Sequence, residues 1–157
     1  MNKVYGVENI HLGSRVSIGD FCWLEAVERY GGQQFAPRLE LRAGTSLSDA
    51  VHISAVARIV IGENCLLGSR IYIGDHSHGT GRLDTASLQT PPGQRPLANI
   101  AEIDIGANCW ICDGAVILAG SRIHPGSIVA ANAVVRLQTD EAALIAGNPA
   151  KVIHYFR

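Results

Sequence analysis

The sequence predicts an all-β chain, a single-stranded left-handed parallel β-helix wound as a triangular prism, and two observations lead to it. An aliphatic residue recurs every six positions. A short motif, Ile/Val-x-Ile-Gly, appears four times, as Val16-Ser17-Ile18-Gly19, Ile59-Val60-Ile61-Gly62, Ile71-Tyr72-Ile73-Gly74 and Ile103-Asp104-Ile105-Gly106. A period of six suits neither the 3.6-residue period of an amphipathic helix nor the alternation of a hairpin meander. It suits a solenoid in which each hexapeptide is one short strand plus a corner, and three hexapeptides make one coil.

The elements follow in chain order. The first run of aliphatic anchors is Leu12, Ile18 and Leu24, and the second is Leu41, Leu47 and Ile53. After a two-residue slip come Ile61, Leu67 and Ile73, and the last run is Ile105, Ile111, Ile117, Ile123, Val129 and Val135. Each anchor is expected to point into the prism. Four places after an anchor stands a small or β-branched residue, among them Thr45, Ala115, Ser127 and Ala133. Cys22, Cys65 and Cys109 share that slot, so they read as small buried hydrophobes and not as ligands or nucleophiles. Gly directly after an anchor suits the dihedrals of a corner. Two insertions, about 25–38 and 79–99, interrupt the repeat, and a short C-terminal segment, about 137–157, follows the expected prism from Leu12 to Val135. The chain reads as one domain, 1–157, with the second insertion an ordered loop that leaves the prism beside the site.

Charged residues make up 17% of the 157, against a typical ~25%, and the formal net charge is -1. No block of Lys or Arg runs along the chain, which argues against a nucleic-acid or anionic-membrane surface. No apolar run is long enough for a membrane span, and the first residues do not read as a signal peptide. A cytoplasmic location follows. So few charges on a small domain also lead us to expect an oligomer.

Residues 71–78 (IYIGDHSH), 105–135, Arg95-Pro96-Leu97 and Ala146-Gly147-Asn148-Pro149-Ala150-Lys151 resemble the hexapeptide-repeat acyltransferases. More narrowly they are similar to the O-acetyltransferases of bacterial lipopolysaccharide and exopolysaccharide synthesis and to the maltose and galactoside acetyltransferases. The resemblance covers roughly 41–153. It implies a homotrimer with each active site between neighbouring prisms, and acetyl-CoA lying beside the C-terminal coils. Ala115, Ala133, Arg136 and Lys151 would contact that cosubstrate. Two departures stand out. Arg136 follows Val134-Val135 where relatives usually carry Lys, and Gln138-Thr139-Asp140 occupies a turn that often holds Ile-Pro.

The chemistry follows from Asp75-His76-Ser77-His78. A sugar hydroxyl keeps its proton at neutral pH, so attack on a thioester needs a positioned base. The resemblance assigns that role to a histidine ending a hexapeptide just before the loop, the place of His78. Ser77 falls in a corner slot, so His76 would flank the same corner and support the acceptor. Asp75, Arg95, His52 and Asp49 are the candidate acceptor contacts, and Asp75 could instead orient an imidazole. No metal is expected. The expected activity is acetyl transfer from acetyl-CoA to a sugar hydroxyl in polysaccharide synthesis, directly and without an acyl-enzyme. Three alternatives stand beside it. One is N-acetylation of an amino-sugar nucleotide. Another is a zinc enzyme like the γ-class carbonic anhydrases, with His76 and His78 as two ligands. The third is a non-catalytic prism.

Overall fold

The structure, a computed structural model, describes residues 1–80 and 88–156. The chain visits three parallel sheets in turn and returns to the first, coil after coil. The first face is built from Lys3–Tyr5, Trp23–Ala26, His52–Ala55, Tyr72–Gly74, Val116–Leu118 and Val134–Val135. The second comprises Ile10–Leu12, Arg38–Leu41, Arg58–Ile61, Ile103–Ile105 and Arg122–Ile123. The third holds Ser17–Ile18, Ser46–Leu47, Leu66–Leu67, Trp110–Ile111, Ile128–Val129 and Ala143–Gly147, with Ala150–Tyr155 added antiparallel at its edge.

The register is the hexapeptide period made visible. Ile117 pairs with Val135, 18 residues on, which is three hexapeptides. The anchors stack in columns: Leu24, Ile53, Ile73, Ile117 and Val135 on the first face, and Leu47, Leu67, Ile111, Val129 and Ile145 on the third. All of these are buried. Each such side chain contributes about 1.5–3 kcal/mol by leaving water, so the axis of the prism is one continuous apolar column.

Three expectations need correction. Leu12 is 53% exposed and Ile18 only partly buried, because they belong to the first coil and no coil covers its open end. The array also outruns both expected ends. Lys3–Tyr5 already pairs with Trp23–Ala26, Gln138 bridges Arg122, and Ala143–Gly147 pairs with the preceding coil. Finally, Gly62 and Gly106 do not serve corner dihedrals, since neither has a positive φ. A Cβ on Gly62 would lie 2.5 Å from the Ala107 nitrogen, and one on Gly106 would lie 2.4 Å from the Pro125 nitrogen. Those glycines let successive coils approach. The left-handed positions fall elsewhere, several to Asn64, Asn108 and Asn132, the residue type that best tolerates that region after glycine, and others to Arg15, Phe21, Ala50 and Arg70.

The first insertion is smaller than expected, because regular strands extend into it at both ends, and the second is longer. What remains of the first, 27–37, carries an antiparallel pair, Arg29–Tyr30 with Gln33–Gln34. The second leaves the prism after His76, forms an antiparallel pair between Ser77–His78 and Leu97–Ala98, and rejoins at Ile103. Residues 81–87, inside the expected loop, lie outside the described residues.

Candidate active site

Asp75 follows the anchor Ile73 by two places, as Ala55 follows Ile53 and Ala26 follows Leu24. Its side chain therefore occupies an inward slot, and the residue is wholly buried. A carboxylate is stable there only with full hydrogen bonding. The two-residue slip between Ile53 and Ile61 supplies donors. The backbone N–H groups of Val56 and Ala57 donate to the two carboxylate oxygens at 2.9 and 2.8 Å. The Nδ1–H of His76 donates to the first of them at 3.1 Å. Asp75 thus presents nothing to a substrate, contrary to the expected acceptor contact, and serves to hold the His76 ring with its proton on Nδ1.

His78 lies outside the prism, on the short strand that leaves it. Ser77 is on that strand too and not in a corner slot. Its hydroxyl donates to the Gly79 carbonyl at 2.9 Å. The rings of His76 and His78 are 6.4 Å apart. His78 is exposed, and the ring of Tyr30 meets it edge-on at 5.1 Å. The Tyr30 hydroxyl is 3.0 Å from His78 Nδ1 and donates its own proton to the Gly93 carbonyl. A hydroxyl has one proton, so the proton between Tyr30 and His78 must come from Nδ1. The neutral ring is then left with an unprotonated Nε2.

Tyr30 belongs to the first insertion and His78 to the second, and a further contact joins the two. The side-chain amide of Gln33 donates to the Leu97 carbonyl at 3.0 Å and accepts the Leu97 N–H at 2.6 Å. It imitates a paired strand. The two insertions are therefore one assembly, with a cleft of about 220 Å³ between them, lined in part by Tyr30, Gln33, Gly93 and Arg95. Arg95 donates from Nε to the Thr90 carbonyl at 2.9 Å, holding the loop's own backbone. Sequence reasoning missed Tyr30 and Gln33. The available signal was Gly31-Gly32, a two-residue glycine turn between short strands, which marks a hairpin.

On the outer surface of the first face, His52 stacks on Trp23 with ring centroids 4.3 Å apart and meets Tyr72 edge-on at 5.3 Å. Glu25 accepts the Ser54 hydroxyl at 2.6 Å, and His52 Nε2 lies 3.4 Å from the same oxygen. Burial pushes the Glu25 carboxyl up. The hydrogen bonds from His52 and Ser54, with the positive potential of His52 and His76, outweigh that and hold it below its ordinary value. Asp49 is elsewhere, at a corner, where its carboxylate accepts the Asp20 N–H at 2.8 Å. Asp113 does the same for Ser69 at 2.7 Å in a later coil.

Of the expected cosubstrate contacts, Ala115 and Ala133 are wholly buried inward slots and offer no surface to a ligand. Arg136 is exposed and shares a small notch with His76, Leu118 and Ala119. Lys151 is exposed on the strand Ala150–Tyr155, which packs beside Val134–Val135. Among the described residues no three His, Cys, Asp or Glu converge as a metal site, and no helix is long and apolar enough to cross a membrane.

Comparison with known proteins bears out the resemblance. Residues 102–136 match the bacterial transferase hexapeptide family (six repeats). A protein of Escherichia coli (strain K12), provisionally named a lipopolysaccharide biosynthesis O-acetyl transferase, is 37% identical over 109 residues, which are 68% of this chain and 55% of that protein. A 2,3,4,5-tetrahydropyridine-2,6-dicarboxylate N-acetyltransferase of Staphylococcus aureus (strain JH9) is 43% identical over 68 residues, 43% of this chain and 26% of that one. The chain thus matches about half of one relative's length and a quarter of the other's. Among solved structures, a hexapeptide-repeat acetyltransferase of Vibrio cholerae O1 biovar eltor, complexed with acetyl-CoA, superimposes with a TM-score of 0.70 at 25% identity, covering 94% of this chain and 71% of that chain.

Proposed function

We infer that this chain, a hexapeptide-repeat protein by the match of its residues 102–136, is an acetyltransferase that moves acetyl from acetyl-CoA to a saccharide hydroxyl. The observation that carries the reading is the proton chain from His78 through Tyr30 to Gly93, which leaves Nε2 of an exposed imidazole unprotonated. Nε2 takes the hydroxyl proton as the acceptor oxygen attacks the thioester carbon. The same nitrogen then returns the proton to the departing thiolate, so no covalent enzyme intermediate is needed. His78 is the catalytic base. Tyr30 is a positioning residue for it, and the Asp75–His76 pair steadies the neighbouring corner. Arg136, on the rim of the notch beside His76, and Lys151, on the adjoining strand, suit the phosphates of the cosubstrate. The similarity to the Escherichia coli protein supports a saccharide hydroxyl as acceptor and a role in lipopolysaccharide or other polysaccharide synthesis; a cytoplasmic location is part of the same reading.

The prism is read as left-handed and single-stranded, as one domain, and as one third of a trimer. On the third face an outward row of Leu66, Trp110, Ile128 and Leu144 runs along the coils. Leu66 and Trp110 are 47% and 49% exposed. Such an exposed apolar row marks an interface. His78 leaves from the corner between the first and second faces, across the prism from it, so in a closed trimer it is the row of a neighbouring prism that would face the His78 corner. The test is thiol release from acetyl-CoA with a panel of saccharides and of amino-sugar nucleotides, run on protein sized by light scattering. Turnover with saccharide hydroxyls by a trimer is the expected result. Turnover with amines alone would move the reading to N-acetylation, and a fully active monomer would remove the shared cleft.

A further inference from the structure

The outer row of the first face that passes the catalytic corner carries opposite charges on either side of that corner. Register gives its order: Tyr5, Glu25, Ser54, Gly74 and Leu118, with Arg136 next, since it follows Val135 as Leu118 follows Ile117. At Gly74 the row has no side chain, and the Tyr72 phenol folds over the gap. A Cβ on Gly74 would lie 2.2 Å from the Tyr72 oxygen. Two coil steps, about 10 Å at strand spacing, separate Glu25 from Gly74. The corner that carries His76 and His78 departs there. Arg136 stands on the other side.

We propose that Glu25, His52 and Tyr72 form the acceptor subsite, with the buried Ser54 bracing Glu25 from beneath, and that Glu25 restricts it to uncharged saccharides. This rests on the acetyl-transfer reading and deepens it. Ser54 and His52 both bond to Oε1 of Glu25, and Oε2 has no partner among the described residues. A carboxylate oxygen with open lone pairs takes hydroxyl donors. Burial and the negative charges of Glu25 and Asp75 raise the Tyr72 phenol, so it stays protonated and can donate to a ring or hydroxyl oxygen. The stacked Trp23 and His52 rings make the apolar side of the same surface. A carboxylate or phosphate on the acceptor would meet Glu25 as a like charge, an arrangement that rejects partners strongly. The anionic cosubstrate is left to the Arg136 side of the row.

The probes are methyl glucoside and methyl galactoside against glucuronate and galacturonate. Binding is read by saturation-transfer NMR and turnover by thiol release at saturating acetyl-CoA. In the wild type the neutral sugars should bind and the uronates should not. Glu25→Gln should narrow that preference at least ~10-fold, raising KM for the neutral acceptor while KM for acetyl-CoA stays put. Glu25→Asp should restore part of it. If the uronates bind as well as the neutral sugars, or if no sugar contacts the protein, the subsite is wrong. It is wrong as well if Glu25→Gln leaves the preference intact while neutral sugars turn over, and acetyl transfer then survives. Absence of both thiol release and acetyl-CoA binding would instead remove the reading on which the subsite rests.

Discussion

The coils from Ile105 to Val135 and the corner where the two insertions meet obey different rules. In the coils, position decides everything. Ile105, Ile111, Ile117, Ile123, Val129 and Val135 are six apart and all essentially buried, and any aliphatic residue of similar volume would do. At the corner, identity decides. Tyr30, Gln33, His78 and Leu97 meet through particular atoms at hydrogen-bond distance, across separations that follow no period. The repeat builds a regular scaffold, and on the proposed reading the departures from the repeat carry the chemistry.

Four substitutions sharpen that contrast, in falling order of effect. His78→Ala should lower kcat by ~10²–10⁴, the usual contribution of a positioned general base, with acetyl-CoA affinity unchanged by calorimetry. Full activity in that variant with a verified acceptor would make His78 a loop anchor. Ile111→Ala should cost about 2–5 kcal/mol in denaturant unfolding, whereas Leu12→Ala, at the open end, should cost less than ~1 kcal/mol. Equal losses would mean that the first coil is covered in solution. Tyr30→Phe should lower kcat roughly tenfold, the scale of one hydrogen bond to a group that becomes charged, and leave both KM values alone. A shift in KM with kcat preserved would mean that Tyr30 touches substrate instead of steadying the imidazole.

The smallest effect lies on the second face and depends on pH. A hydrogen bond from Arg38 holds the Glu40 carboxyl below its ordinary 4.5; burial opposes this, and Arg42 adds to it. A folded-state value below the unfolded one stabilises above the unfolded value, and that stability is lost as pH falls through the folded value. Glu40→Gln should therefore lower thermal stability slightly at neutral pH and make no difference in strong acid. Added salt should shrink the gap. A gap that widened in acid would reverse the sign of the interaction.

Legibility followed the same division. Column after column of the prism was readable because a six-residue period is a property of the chain alone. The two histidines were readable as a pair because they directly follow the motif Ile71-Tyr72-Ile73-Gly74. What each imidazole touches was not. Asp75 was open to two readings, an imidazole orienter or a solvated corner carboxylate, and the inward slot it shares with Ala26 and Ala55 decides for the buried brace of His76. Glu25 looked like the first residue of a loop and is a strand residue on the outer face. Tyr30 and Gln33 reach residues 63 and 64 positions away, and no local pattern encodes such a partner. The end coil misled in the opposite sense. Leu12 keeps the period but lies in the outermost described coil, with a stacked neighbour, Leu41, on one side only.

The splice between the insertions also has a consequence in time. Neighbouring coils in the regular part meet over 18 residues, so the array can zip from any point once a few coils exist. Gln33 and Leu97 close a span of 64, which as a free loop costs about 1 kcal/mol more entropy than one coil. They have little to bind until the intervening coils set their spacing. The prism is therefore expected to form first in refolding and the hairpin to dock later, so a half-assembled chain would carry its core before the Tyr30–His78 contact is made.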